Sequence, residues 1–241
     1  FSLLFSDILI ISEIVSLFSS IISFFGTTLL ILAIFSSTLV FSQKKYNQIS
    51  VDINYGLSIP TTPIPAGRNK GEFMGFNHFG IGGRYMIIPE LGFKLSYTHD
   101  KFQDTNLKDN DLVYNSFNVE AVSNLVVLFG FDSHFWEKFG LLAHAGGGFT
   151  SGNPSAASNN EKTGNLIFGI NPLYRLGEKF ALSADLSYNI ITKQQFGFDG
   201  QLIEPDFDPA TGFEDFTGGF INFTVGLKYY IGSKRDHADW Q

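Results

Sequence analysis

The sequence predicts an all-β fold over residues 43–234, an eight-stranded antiparallel up-and-down transmembrane β-barrel. Three observations predict it. Eight segments of about ten residues carry apolar side chains at every second position, the pattern of a strand with one face in lipid. The connections between them alternate between long and short. The composition is strand-forming and rich in aromatics, with 27 Phe, 9 Tyr, 2 Trp and 25 Gly in 241 residues.

Taken in order, the first segment sets Ile49, Val51, Ile53, Tyr55, Leu57 and Ile59 against Ser50, Asp52 and Asn54. The second sets Phe79, Ile81, Tyr85 and Ile87 against Gly80, Gly82 and Arg84. The third sets Leu91, Phe93, Leu95 and Tyr97 against Lys94 and Ser96. The fourth runs from Phe117 through Val119, Ala121, Leu125 and Val127 to Phe129, with Asn118, Glu120 and Asn124 opposite. The fifth is weaker, with Leu141, Ala143, Ala145 and Phe149 against His144, Gly146, Gly148 and Thr150. The sixth has Leu166, Phe168, Ile170 and Tyr174 against Asn165, Gly169, Asn171 and Arg175. The seventh and eighth are clean. Phe180, Leu182, Leu186, Tyr188 and Ile190 oppose Ser183, Asp185 and Asn189; Ile221, Phe223, Val225, Leu227, Tyr229 and Ile231 oppose Asn222, Thr224, Gly226 and Lys228.

A soluble sandwich also alternates, but its strands average five or six residues, and nothing sorts its loops by parity. Here the first, third, fifth and seventh connections are long: the first holds Thr61-Thr62-Pro63-Ile64-Pro65, the third spans 101–111, the fifth 151–163 and the seventh 193–219. The second (Ile88-Pro89-Glu90), fourth (131–138) and sixth (176–179) are short. Short turns and both strand termini then share the periplasmic side of an outer membrane. Phe131, Phe135, Trp136 and Phe139 fall where a periplasmic aromatic girdle is expected.

Residues 1–42 contain no Lys or Arg and are read apart from the barrel. The apolar run 29–40, with Val40 and Ser42 at the −3 and −1 positions before Gln43, reads as a signal peptide. Residues 1–26 then form an upstream extension. The rival reading is a helical anchor, in which Asp7 and Glu13 would each cost about 2.5–3.5 kcal/mol. Residues 235–241 read as the start of a periplasmic linker.

The interior of an eight-stranded barrel is filled by side chains, so inward charges must be paired. Parity places Asp52, Arg84, Lys94, Glu120, Asp185 and Lys228 inside. Opposite signs on neighbouring strands suggest Arg84 with Asp52, Lys94 with Glu120, and Lys228 with Asp185 and, by closure, Asp52. The expectation is an ion-paired plug; a gated ion path is the alternative.

Other chemistry is weakly signalled. A net charge of −7 argues against nucleic acid. Without cysteine there is no disulfide framework and no thiolate metal site. His144 points inward within reach of Glu120. A hydrolase would need a serine at that imidazole, and of the neighbouring-strand candidates Ser116 and Ser123, Ser123 has the wrong parity. Glu204, Asp206, Asp208, Glu214 and Asp215 crowd the last long loop without calcium-loop spacing. Phe196, Phe198, Phe207, Phe213 and Phe216 either form an interaction surface there or fold back over the rim. No catalytic, cofactor or metal site is expected.

Thr224-Val225-Gly226-Leu227-Lys228-Tyr229-Tyr230-Ile231 resembles the last-strand signal read by the barrel assembly machinery, with Gly226, Tyr229 and Ile231 at its key positions. The following segment to His237-Ala238-Asp239-Trp240 resembles the tail of the barrel domain in OmpA-family proteins of Bacteroidetes. The resemblance covers about residues 43–241. It implies an outer-membrane anchor of an envelope-stabilising protein, with membrane lipid and the assembly machinery as partners. It implies peptidoglycan as a partner only through a separate C-terminal domain, which is expected to be absent from this chain. The alternative is a stand-alone porin-like or surface-binding barrel acting through its outer loops. A lipid-modifying enzyme stands third.

Overall fold

A computed structural model describes residues 46–64, 69–103, 111–131, 134–155, 160–203 and 216–240. Eight strands follow one another: β1 (Ile49–Thr62), β2 (Gly75–Met86), β3 (Leu91–Gln103), β4 (Asp111–Asn124), β5 (Phe139–Pro154), β6 (Glu161–Arg175), β7 (Phe180–Gln194) and β8 (Phe216–Ile231). Each pairs antiparallel with its sequence neighbours. β8 returns to β1 in continuous register from Ile49↔Ile231 to Ile59↔Ile221, so the barrel closes with no free edge. Closure satisfies every strand's backbone groups, as a hydrocarbon environment requires. The eight-stranded closed fold read from the alternation is the one observed. Residues 1–42, with the signal and extension assigned to them, lie outside the described residues.

The end at which β1 begins and β8 finishes is here termed the base, and the opposite end the rim. At the base, β2 turns into β3 through residues 87–90, closed by Ile87 N–H on Leu91 O at 2.9 Å. β6 turns into β7 through residues 176–179, closed by Leu176 N–H on Phe180 O at 3.0 Å. The remaining base connection departs from expectation. The fourth strand ends at Asn124, and Leu125–Leu128 form one helical turn rather than more strand. Asn124 causes the switch, because its side-chain oxygen accepts from Val126 N–H and Val127 N–H and caps the turn.

This makes the fourth connection, residues 125–138, longer than the third (104–110) or fifth (155–160), so connection length does not follow parity throughout. The rim strands supply the other half of the reason. β3 to β6 keep pairing through polar sequence, from Gln103↔Asp111 to Gly152↔Glu161, and absorb residues that composition alone assigns to loops.

Outward side chains form an apolar belt on every strand. Ile53, Ile81, Leu95, Val119, Phe149, Phe168, Leu186 and Val225 are all exposed, Phe149 at 81%. A continuous belt of this kind has no place in water. Inward positions alternate with it and, in the middle of the barrel, are mostly small or polar. Gly146 and Gly148 on β5 show why: an added Cβ would lie 2.1 Å from Val119 O and 1.8 Å from Phe117 O of β4. Only glycine allows β5 to approach β4 so closely.

Candidate functional site inside the barrel

Three layers fill the lumen, and each is built by side chains at inward positions. The rim layer is aromatic. Phe102 and Tyr114 from β3 and β4, Phe220 from β8, and Phe73 from the first connection meet Phe196 and Phe198 from the seventh. Phe198 lies edge-on to Phe102 at 4.7 Å, and Tyr114 stacks on Phe220 at 6.0 Å. Glu161 anchors the returning segment: it accepts from Tyr114 Oη at 3.0 Å and from Gln195 N–H at 2.8 Å. Of the loop phenylalanines, Phe196 and Phe198 therefore fold back into the rim. Phe207, Phe213 and the Phe216 side chain lie outside the described residues, as do the loop acids 204–215.

The middle layer is ionic. Lys94 lies 3.9 Å from Glu120, and Lys228 lies 3.9 Å from Asp52. Both pairings were legible from parity and register. Two others differ from expectation. Arg84 does not take Asp52; its Nη2 binds Asp239 at 2.5 Å. Asp185 does not take Lys228; its carboxylate meets His144 Nε2 at 3.1 Å. His144 Nδ1 meets Glu120 at 2.6 Å, and Ser96 donates to the same carboxylate at 2.6 Å. The reason is geometric. Lys228 on β8 stands directly opposite Asp52 on β1 and four positions from the partner of Asp185, whereas Gly169 clears a path for the imidazole towards β7.

A ring with a carboxylate at each nitrogen is held as a double donor, an imidazolium. Charge counting agrees. Asp52, Glu120, Asp185 and Asp239 face Arg84, Lys94 and Lys228, which leaves one negative charge for protonated His144 to balance. The space left among these groups is about 20 Å³, the room of a single water.

Ser116 is bonded to Thr150 at 2.8 Å rather than to His144, so the hydrolase arrangement is not assembled. Towards the rim, His78 Nδ1 and Ser58 Oγ each bind Asp100 Oδ1 at 2.7 Å, and His78 Nε2 meets Asn54 at 2.9 Å. This cluster was missed in the sequence although a signal existed. His78 and Asp100 share inward parity and stand opposite each other in register. Among the described residues no group of three or more His, Asp or Glu could hold a metal ion.

The base layer is the chain's own tail. Asn47 pins it, donating to Lys234 O at 2.7 Å and accepting from Lys234 N–H at 3.0 Å. Ala238 N–H binds Asn47 O at 3.0 Å. Asp239 then enters the mouth, where Tyr230 donates to it at 3.0 Å beside Arg84. Burial alone would raise its carboxyl. The Arg84 guanidinium and His237 outweigh burial and hold it well below the usual carboxylate range. Trp240 packs against Val122, Leu142 and Leu173, with Arg175 over its ring at 5.6 Å.

On the outside of the base, the expected girdle residues come together. Phe131 stacks on Trp136 at 5.5 Å, and Phe135 on Phe139 at 4.2 Å. Phe139 extends the row to Tyr174 at 5.0 Å, and Phe180–Tyr229 and Tyr85–Phe93 continue it at 5.1 and 5.6 Å. The last-strand residues Tyr229 and Ile231 point outward here, while Gly226 faces inward against Ile53 O.

No family model matches the chain, and no curated protein matches it. Solved structures do. Neisserial surface protein A superposes with a TM-score of 0.50 at 13% identity, over 76% of this chain and 97% of that one. Ail, the attachment invasion locus protein of Yersinia pestis, gives 0.45 at 17% identity over 77% and 99%. The N-terminal β-barrel domain of Pseudomonas aeruginosa OprF gives 0.44 at 13% identity over 77% and 99%. The first of these likenesses carries the fold, a closed eight-stranded antiparallel barrel.

Proposed function

We propose that this chain is a structural barrel of a Gram-negative outer membrane, closed to solute flow, that anchors an OmpA-like cell-envelope protein. The observation that carries the reading is the filled lumen: an aromatic rim, a charge-balanced middle with about 20 Å³ of space, and a base occupied by residues 236–240. A porin needs a continuous aqueous path, which this packing favours far less. Lipid placement is supported by the apolar belt and by the aromatic row at its base edge. The anchor role is supported by the tail motif, whose His-Ala-Asp-Trp residues form the base layer rather than trailing away from it.

On this reading the strand ends at the base face the periplasm, membrane lipid surrounds the belt, and the assembly machinery reads Gly226, Tyr229 and Ile231. The test is gel mobility of the protein in isolated outer membranes, with and without heating. A compact SDS-resistant form that slows after heating is the expected result. Identical mobility, or recovery from the soluble fraction, would overturn the membrane reading.

A further inference from the structure

The chain is acidic overall, with a net charge of −7, yet its base has one strongly basic corner. Lys138 closes the fourth connection, Arg175 ends β6, Lys179 lies in the sixth connection, and Lys234 and Arg235 follow β8. The local acids are Glu137, Glu178 and Asp236. Arg175 binds Asp236 at 2.7 Å, Arg235 binds Glu178 at 2.9 Å, and Glu137 meets His134 Nδ1 at 2.6 Å. Lys138, Lys179 and Lys234 outnumber the one acid, Glu137, that no Arg pairs. Lys179 Nζ is turned inward to Gly232 O and Lys234 O, which fixes the tail segment beneath it. Arg175 N–H on Lys138 O at 2.7 Å ties the fourth connection to the same place. Between them lies an open cleft of about 420 Å³, lined by Lys138, Arg175, Leu176, Gly177, Arg235 and the two Arg-paired acids.

This cleft meets the lower edge of the apolar belt. Leu176, in the turn itself, is 56% exposed, and Phe180, Phe139 and Tyr174 continue the belt above it. A cationic cleft directly under exposed aliphatic and aromatic side chains has two chemistries stacked in the order of a lipid: phosphate below, acyl chain above. The second connection, residues 87–90 across the base, carries Glu90 and no cation, so among the described residues the arrangement is local to one corner.

We propose that this corner seats the phosphate headgroup of an anionic phospholipid, its acyl chains lying along Leu176 and Phe180. The proposal rests on the membrane-spanning reading above. Excess lysine charge supplies the headgroup selectivity, as juxtamembrane basic clusters do. The three bound loop ends supply a preformed shape.

The full chain, refolded into phosphatidylcholine bilayers, would be probed with a minor fraction of spin-labelled phosphatidylglycerol or spin-labelled phosphatidylcholine. The motion-restricted lipid shell should be enriched in phosphatidylglycerol at low salt. Lys138→Gln and Arg235→Gln, both in the cleft lining, should each weaken that enrichment by roughly fivefold, and salt should weaken it in the parent. Lys162→Gln, at the rim, should not. Equal occupancy by both lipids, or enrichment that survives Lys138→Gln combined with Arg235→Gln, overturns the proposal. Heat-dependent mobility of the same samples separates the two readings. A folded barrel without lipid preference contradicts the headgroup seat alone, and a chain that never inserts contradicts the membrane reading together with the seat.

Discussion

Arg84 is 2% exposed, and Asp239 binds it at 2.5 Å from a position eight residues beyond the end of the last strand. A buried cation that loses its partner is left uncompensated, at a cost of about 3–5 kcal/mol. Asp239→Asn is therefore expected to lower barrel stability by about 3 kcal/mol. It should also release the tail, so that trypsin cuts after Lys234 or Arg235 in the folded barrel. The double variant Arg84→Met with Asp239→Leu, which removes both charges, should recover most of the loss. Urea unfolding in detergent with a trypsin time course checks both. A double variant no better than Asp239→Asn would mean that the contact is not the electrostatic latch described. Parity placed Arg84 inside but pointed to Asp52 rather than Asp239 as its partner, because residues after Ile231 follow no strand period. Asp52 was the nearest acid in register, and the folded tail supplied a better-placed one. His144 was more legible: strand parity and one neighbouring register suffice to bring it to Glu120.

At the scale of elements, the alternation located all eight strands because each has one face in lipid and the other in a packed lumen. It failed where that contrast disappears. Leu125–Leu128 are apolar and near the base, so they continue the pattern by eye, but the Asn124 side chain winds them into a turn. Near the rim Phe102, Leu112, Tyr114 and Phe220 are apolar at inward positions, since there the lumen is filled by rings. The tail is an element of its own, and its docking is expected to depend on pH. Burial pushes the His237 imidazole below its usual value, even though Asp239 pulls the other way. The Asp239 carboxyl is depressed as well. A depressed histidine must be charged by the released state first, so its contribution is complete above about pH 6.5 and falls below it. The depressed carboxyl contributes above about pH 4 and loses its contribution on further acidification. Both act in one direction, and docking should weaken from pH 7 downwards. The protection factor of the Ala238 amide, which binds Asn47 O, reads this directly once the exchange rate is divided by the intrinsic rate at each pH. Protection that stays constant or rises on acidification would contradict it.

At the scale of the whole molecule, closure removes every edge, and the lumen is layered by chemistry from rim to base. Aromatic residues exclude water at one end, the tail blocks the other, and charges between them balance only as a set. Small barrels have interiors wide enough for side chains alone, and here the strand side chains share that space with Phe73, the Phe196–Phe198 segment and the tail. The most direct test is single-channel recording on the full chain refolded into a planar bilayer, with heat-dependent mobility confirming the folded form. No steady conductance is expected from the folded barrel. A steady, large conductance would contradict it, because ions would then have a path through layers that the packing closes.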